Sequence, residues 1–192
     1  GHVLLADQPL EQLNRRQRAD RIAIVSQQNQ LYDDMKVLDI VKMGRLAKHG
    51  LLSTVADQEV VPYLAMTGLK TLANRPMSQL SGGQKQRVWI AAAIAQEPHY
   101  LFLDEPTTYL DIRYQTELMA IIKKLHQQPN MTIVMVLHDI NQAFRISDTL
   151  WLVKDGHLIA TGRPDHFYDE RVLSEVFNTA IHIVSIPDYG KY

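Results

Sequence analysis

Two adjacent carboxylates follow a short apolar run, and their position suits phosphate chemistry. The run Tyr100–Leu103 predicts a buried strand, and Asp104 and Glu105 come directly after it. At the carboxyl end of a parallel strand, Asp104 would bind Mg²⁺ directly or through water, and Glu105 would polarise an attacking water molecule. An isolated Asp-Glu pair is usually no more than the solvated start of a loop. The fully apolar strand before this pair favours the chemical interpretation.

The segment Leu80-Ser81-Gly82-Gly83-Gln84 is the sharpest local pattern in the chain. Ser81 and Gln84 have the spacing of a capping box, which predicts that a helix starts here. Two glycines let a ligand approach the backbone closely, and the N–H groups at a helix start attract anions. An ordinary helix cap is the simpler interpretation, but average residue usage makes this pentapeptide rare by chance. We therefore predict that Ser81, Gly82, Gly83 and Gln84 bind an anion.

Three further polar residues lie at element ends. Gln27 follows a predicted strand and supplies a neutral oxygen that can reach a metal or a water molecule. Asp111 lies at the start of the helix after Glu105, where it is expected to cap the helix. A capping role does not exclude a second role in binding. His138 ends another apolar run, and a histidine in that position is more often structural than catalytic. Its strand is expected to neighbour that of Glu105 through a βαβ crossover, which places both residues at one edge of the sheet.

The elements that must hold these residues alternate between short apolar strands and amphipathic helices. The continuous apolar character of the third and fourth strands predicts central strands buried on both faces of a parallel sheet. Asp155-Gly156, between two apolar runs, predicts a hairpin that adds an antiparallel edge. The predicted strands are Val3–Ala6, Ile22–Val25, Tyr100–Leu103, Thr132–Leu137 and Thr149–Val153.

Helical spacing of apolar residues predicts one helix before the two carboxylates and one after them. The first starts at Ser81 and ends before Pro98, and the second ends before Pro129. Their predicted buried residues are Val88, Ala91, Ala92 and Ala95 in the first helix, and Leu118, Ile121, Ile122 and Leu125 in the second.

The segment from Leu31 to Gln79 shows helical pieces and no confident strand. We therefore predict a helical insertion of about fifty residues, longer than an ordinary loop. Glycine and proline are expected to break this insertion at Gly44, Gly50, Pro62, Gly68 and Pro76.

Composition excludes several classes of protein. The 192 residues are 46% hydrophobic and 21% charged, which is enough for a buried core. A formal net charge of −1 excludes the strong positive field of an autonomous nucleic-acid binder. Because the chain has no cysteine, it has no disulfide framework and no thiolate metal site. No apolar run in the sequence approaches the roughly 18 residues of a membrane span.

Together, and in this order, the motifs resemble those of the nucleotide-binding domain of ABC transporters. The resemblance covers the whole chain and assigns each motif a role. Gln27 resembles the Q-loop glutamine, residues 80–84 the signature sequence, residues 100–104 the Walker B strand, Glu105 the catalytic glutamate, residues 109–111 the D-loop and His138 the switch histidine. The segments 106–112 and 138–143 look most like those of importers of iron chelates, haem or cobalamin.

This resemblance implies an α/β fold with a P-loop-NTPase-like, mostly parallel sheet, an antiparallel edge and an inserted helical subdomain at residues 31–79. It implies one ABC ATPase domain over residues 1–192, with ATP and Mg²⁺ as cofactors and Asp104 and Gln27 near the metal. The implied partners are a second cassette, expected to be an identical copy, and permease subunits that dock on residues 31–79. A substrate-binding protein outside the cell would act indirectly, and the subunit would lie on the cytoplasmic face of the membrane.

The chain departs from the family in one respect, because no G-x-x-x-x-G-K-[ST] phosphate loop occurs in it. In the family, this loop and the residue that stacks on adenine lie upstream of the point where the chain begins. We therefore expect that the chain alone binds ATP weakly and does not hydrolyse it.

A soluble ABC-type ATPase acting on nucleic acid or ribosomes is the alternative. The segment between Gln27 and Ser81 lacks the sustained heptads of the long coiled coil in chromosome-maintenance relatives. Translation-factor relatives pair two cassettes through a charged linker, and this chain has no such linker. A noncatalytic interaction fragment is a third possibility, which the missing phosphate loop supports.

Overall fold

Three of the predicted strands form a parallel sheet that carries the two carboxylates at one edge. In the computed structural model, which describes residues 1–27, 33–49, 53–187 and 190–191, β4 pairs with β3 on one side and with β5 on the other. The chain forms two compact units, Gly1–Val136 and Leu137–Tyr192. The elements of the first unit are β1 (Leu4–Leu5), β2 (Gln8–Pro9), α1 (Arg15–Ala19), β3 (Ile22–Val25), α2 (Val37–His49), α3 (Asp57–Met66), α4 (Gly82–Ala95), β4 (Tyr100–Asp104), α5 (Ile112–His126) and β5 (Thr132–Val136).

The parallel strands and the βαβ crossover from β4 through α5 to β5 confirm the predicted topology. The prediction that two central strands are buried on both faces is wrong. Only β4 has strand neighbours on both sides within the described residues. The side chains of Ile24, Phe102 and Val136 are 66%, 36% and 50% exposed. Ile24 and Phe102 alternate with buried residues of β3 and β4, so one face of these two strands is well covered and the other is not.

Both predicted helices form, and their apolar residues are buried as expected. The first is α4 and the second α5; of the eight predicted core residues, only Ala92 is half-buried rather than buried. Helix α4 packs against β3, and Gln96, just after the helix, donates hydrogen bonds to the carbonyl oxygens of Ala19 and Ile22. Helix α4 therefore leads from the signature segment, residues 80–84, to the amino-terminal end of β3.

The described residues of the insertion between β3 and α4 form helices and no strand, as predicted, apart from connecting segments and an isolated bridge between Lys36 and Pro76. Leu31 and Gly50 lie outside the described residues. Gly68, at a φ of +69°, does follow the end of α3. The expected breaks at Gly44 and Pro62 are wrong, because α2 and α3 run through them. A Cβ at Gly44 would lie 1.9 Å from the carbonyl oxygen of Ala92, so this glycine permits close packing of two helices.

A shared core joins the insertion to α4. Two single-turn 3-10 helices, Lys70–Leu72 and Met77–Gln79, lead from α3 to the signature segment. The buried residues of this core are Val37, Ile40, Val41, Val60, Leu64, Leu69, Met77, Leu80, Val88, Ala91 and Ala95.

A charged cluster also joins the insertion to the end of α4. The carboxylate of Glu97 accepts hydrogen bonds from Lys48 Nζ and Tyr63 OH, both at 2.6 Å, and pairs with Arg45 Nη1 at 2.9 Å. Burial opposes ionisation of Glu97, but these three partners outweigh it and lower its pKa from 4.5 to about 2. Burial and the bond to Glu97 raise the pKa of Tyr63 to about 12.

The second unit contains the predicted hairpin. Strands β6 (Leu150–Lys154) and β7 (His157–Gly162) pair antiparallel, and Asp155 and Gly156 take the left-handed conformations of a tight turn. Leu150 and Leu152 of the hairpin pack with Phe167, Leu173 and Val176 in a small core. The other elements of this unit are α6 (Ile140–Ile146), the 3-10 turn Pro164–Phe167, α7 (Glu170–Phe177), β8 (Ser185–Ile186) and β9 (Gly190–Lys191).

Candidate functional site

Gln27 and Glu105 meet at the carboxyl edge of the parallel sheet. Gln27 lies two residues after β3, and Glu105 is the residue directly after β4. The strands are in register up to Val25 and Leu103, so the chain leaves both at the same edge. Gln27 Nε2 donates a hydrogen bond of 2.7 Å to Glu105 Oε2. Two residues that the sequence predicts for one site are therefore in direct contact.

A tight turn presents Glu105 at this edge. Its φ of +47° lies in the left-handed region, which is strained for a residue other than glycine. The N–H of Thr108 donates to the carbonyl oxygen of Glu105 at 3.2 Å and closes the turn. Thr108 Oγ1 donates to Glu105 Oε2 at 2.9 Å. Sequence reasoning misses Thr108, since no pattern distinguishes its hydroxyl from that of Thr107 beside it.

Asp104 is the last residue of β4, where it pairs with Val136 of β5, and its side chain is exposed. Carboxylate and amide oxygens are hard ligands of the kind that Mg²⁺ takes together with water and phosphate oxygens. Since the amide nitrogen of Gln27 faces Glu105, the amide oxygen is the atom that Gln27 can offer to a cation. The donor set of Asp104 and Gln27 thus fits Mg²⁺.

Ser81 and Gln84 form the predicted capping box at the start of α4. Ser81 Oγ accepts a hydrogen bond from the backbone N–H of Gln84 at 3.3 Å, and Gln84 Oε1 accepts one from the N–H of Ser81 at 2.9 Å. Ser81 and Gly82 are exposed, whereas Gly83 is buried. The capping interpretation is confirmed, and the hydroxyl of Ser81 still lies at an accessible helix start.

The two glycines of this segment differ in their surroundings. A Cβ at Gly83 would lie 2.9 Å from Cγ of Tyr114, while a Cβ at Gly82 would have no neighbour within 4 Å. Close packing against Tyr114 is thus a sufficient reason for glycine at position 83. Binding of an anion by Gly82 and Gly83 stays a prediction.

Asp111 is the N-cap of α5, and its Oδ1 accepts a hydrogen bond from the N–H of Tyr114 at 3.0 Å. Tyr114 therefore contacts the cap with its backbone and lies beside Gly83 with its ring. Next to Asp111, the side chains of Tyr109 and Ile112 are 92% and 82% exposed. The segment after Glu105 is a capped helix start flanked by exposed apolar side chains.

His138 belongs to the second unit, two residues after β5 ends, and its side chain is exposed. Asp139 beside it caps α6 by accepting the N–H of Gln142 at 3.1 Å. The placement of His138 at the edge that carries Glu105 stays a prediction.

Comparison with known proteins identifies the family. The model of the ABC transporter family matches residues 1–108. The chain is 38% identical over 193 residues to the petrobactin import ATP-binding protein FpuD of Bacillus anthracis. The matched region covers 99% of this chain and 71% of that protein. Among the described residues, no helix combines the length and apolar character needed to cross a membrane.

Solved structures agree with this assignment. One similar structure is an inward-facing metal-chelate type ABC transporter, with a TM-score of 0.82 and 29% identity, covering 90% of this chain and 71% of that one. Another is the dimeric cassette MJ0796 bound to ADP and phosphate after hydrolysis, with a TM-score of 0.73 and 31% identity, covering 85% and 73%. The chain therefore belongs to the ABC transporter family and is an ABC-type, ATP-binding ATPase.

Proposed function

We propose that this chain, as part of a complete cassette that includes a phosphate loop, hydrolyses ATP to energise a membrane importer of iron chelates. The contact between Gln27 and Glu105 carries the proposal, because it brings a metal-ligand candidate and a catalytic carboxylate together at the sheet edge. The choice of cargo rests on similarity to a petrobactin import protein and to a metal-chelate type transporter. Neither similarity favours the alternative of an ATPase acting on nucleic acid or ribosomes.

The proposed chemistry assigns Glu105 to the attacking water. A carboxylate can accept a hydrogen bond from water and orient its oxygen towards the terminal phosphorus of ATP. Asp104 and Gln27 would hold Mg²⁺, which when bound neutralises charge on the phosphate oxygens. His138, at the end of the segment after β5, would donate a hydrogen bond to the terminal phosphate.

A second copy of the cassette would complete the site. The exposed start of α4, with Ser81 and Gly82, has the N–H groups and hydroxyl that suit a terminal phosphate. We propose that it faces the nucleotide of the opposite copy, with Asp111 near the junction. The exposed side chains of Tyr109 and Ile112 beside Asp111 suit contact with another protein surface.

The helical insertion would connect nucleotide and membrane. It begins shortly after Gln27, and its helices share a core with α4. We propose that permease subunits dock on residues 31–79 and hold the subunit at the cytoplasmic face of the membrane. A substrate-binding protein outside the cell would then reach this chain only through the permease.

Replacement of Glu105 tests this function. The complete cassette, meaning this chain joined to an upstream phosphate-loop segment, is assayed for phosphate release and ATP binding. Glu105→Gln keeps the shape of the side chain but removes its charge. We expect turnover to fall by about 10²-fold or more while the ATP dissociation constant changes little, since the loss falls on the reacting water.

Glu175→Gln is the matched control, because Glu175 is an exposed carboxylate on α7. We expect it to leave both turnover and ATP binding unchanged. Near-normal turnover of Glu105→Gln would remove Glu105 from the catalytic role and contradict the proposed function.

A further inference from the structure

The hydroxyl of Thr108 lies within the same turn as the carboxylate that it contacts. Its backbone N–H and its Oγ1 both bond to Glu105, at 3.2 Å to the carbonyl oxygen and at 2.9 Å to Oε2. One residue thus fixes both the backbone and the side chain of Glu105. Both partners of this hydroxyl bond lie within the one turn, three residues apart.

The conformation of Glu105 needs such support. Its φ of +47° lies in the left-handed region, which is unfavourable for a residue with a Cβ, and Tyr109 in the same segment has a φ of +63°. Pro106, which follows Glu105, is buried and has a fixed φ. The backbone is therefore constrained on both sides of the hydroxyl bond, which leaves the side-chain torsions as the freedom that Thr108 restricts.

Gln27 and Thr108 both donate to the same atom, Glu105 Oε2. Gln27 reaches it from a different strand, and in the proposed function its amide also turns to Mg²⁺. The position of the Gln27 amide therefore depends on both Glu105 and the cation. The bond from Thr108 has no such second role and can hold the carboxylate throughout.

We propose that Thr108 is a positioning residue that holds Oε2 of Glu105 and thereby directs the carboxylate to the attacking water. The inference rests on the proposed catalytic role of Glu105. Thr108 itself contacts neither ATP nor water in this account. Loss of its hydroxyl lowers turnover because a misdirected carboxylate spends less time aligned with the water.

Four variants of the complete cassette test this positioning role. Thr108→Val removes the hydroxyl at nearly constant shape, and Thr108→Ser keeps it. Thr116→Val is the control, since it removes an exposed threonine hydroxyl that bonds to Ile112 on α5. We expect Thr108→Val to lower kcat by about 10- to 100-fold with little change in KM, as for other residues that orient a reacting group. The kcat of Thr108→Ser should stay within about threefold of that of the unchanged cassette. The kcat of Thr116→Val should equal that of the unchanged cassette.

The fourth variant combines Thr108→Val with Glu105→Gln and is measured by single-turnover phosphate release. If Thr108 acts through Glu105, the double variant loses nothing beyond Glu105→Gln alone. A normal kcat for Thr108→Val, no rescue by Thr108→Ser, or a further loss in the double variant would each overturn the positioning role. A normal kcat for Glu105→Gln would instead overturn the proposed function, so the two failures are distinguishable.

Discussion

At the scale of single residues, Gly82 and Gly83 show how neighbours of one type serve different ends. Gly82 is exposed with open space around it, and Gly83 is buried against the ring of Tyr114. Tyr114 is also the residue whose N–H binds Asp111. Within one cassette, the signature segment and the D-loop segment are therefore held side by side by a glycine-aromatic contact.

This difference predicts opposite results for two alanine substitutions. Gly83→Ala would place a Cβ 2.9 Å from Cγ of Tyr114, and the overpacking should exceed the gain in helix propensity. We expect Gly83→Ala to destabilise the chain by about 1–2 kcal/mol and Gly82→Ala to be neutral or slightly stabilising. Urea denaturation followed by circular dichroism measures both. Equal stability of the two variants would contradict the packing role of Gly83.

Individual side chains of the site were partly predictable. Asp104 ends an apolar strand, Gln27 and Glu105 follow such strands, and parallel topology brings the strand ends together. The partners Thr108 and Tyr114 were not predictable, because their roles depend on the left-handed turn at Glu105 and on the packing of α5 beside α4. Hydrogen bonds across such a turn do not produce a periodic pattern of residues in the sequence.

At the scale of elements, α4 packs against both the helical insertion and the parallel sheet. Its start carries the signature segment, and Glu97 beyond its end binds α2 through Arg45 and Lys48 and α3 through Tyr63. Glu59 of α3 also lies near Arg45, at 3.9 Å. Helix α4 is therefore tied to the insertion by an apolar core along its length and by a charged cluster beyond its end.

The cluster around Glu97 predicts a pH dependence of stability. The pKa of Glu97 is lowered in the folded chain, so its contribution is complete above pH 4.5 and is lost as the pH falls from 4.5 towards about 2. We expect Glu97→Gln to lower the free energy of unfolding near pH 7 by about 1 kcal/mol or less, because the side chain is 43% exposed and screened by solvent.

Urea denaturation of the unchanged chain and of Glu97→Gln, from pH 7 to pH 2.5, measures this dependence. The gap between the two should narrow below pH 4.5. Glu175→Gln, at an exposed position on α7, should show no such gap. A gap for Glu97→Gln that stays constant across this range would contradict the ionic role of Glu97.

Helices and strands were predictable where periodicity and caps agree, as in α4 and α5. Breaks within the insertion were not, since glycine and proline disfavour helices but tertiary packing can override that tendency. Gly44 lies where α2 crosses α4, and only the missing Cβ allows the approach to Ala92. The sequence of α2 alone does not indicate that α4 will pack against Gly44.

At the scale of the whole molecule, the proposed function requires two copies. Glu105 follows β4, whereas Ser81 caps a different element, and the account assigns them to opposite sides of one nucleotide. The similar cassette MJ0796 forms a dimer in a structure with bound ADP and phosphate, which supports this proposal. The central claim is therefore that each hydrolytic site takes Glu105 from one copy and Ser81 from the other.

Mixing two inactive variants of the complete cassette tests that claim most directly. Ser81→Arg fills a small, exposed helix start with a bulky cation, and Glu105→Gln removes the carboxylate; each alone should be inactive. In a mixed dimer, one site keeps Glu105 of the first copy and Ser81 of the second, while both lesions fall in the other site. We predict that the mixture releases phosphate, at up to about a quarter of the unchanged rate when copies pair at random. Activity no higher than that of the two variants measured separately would contradict the account.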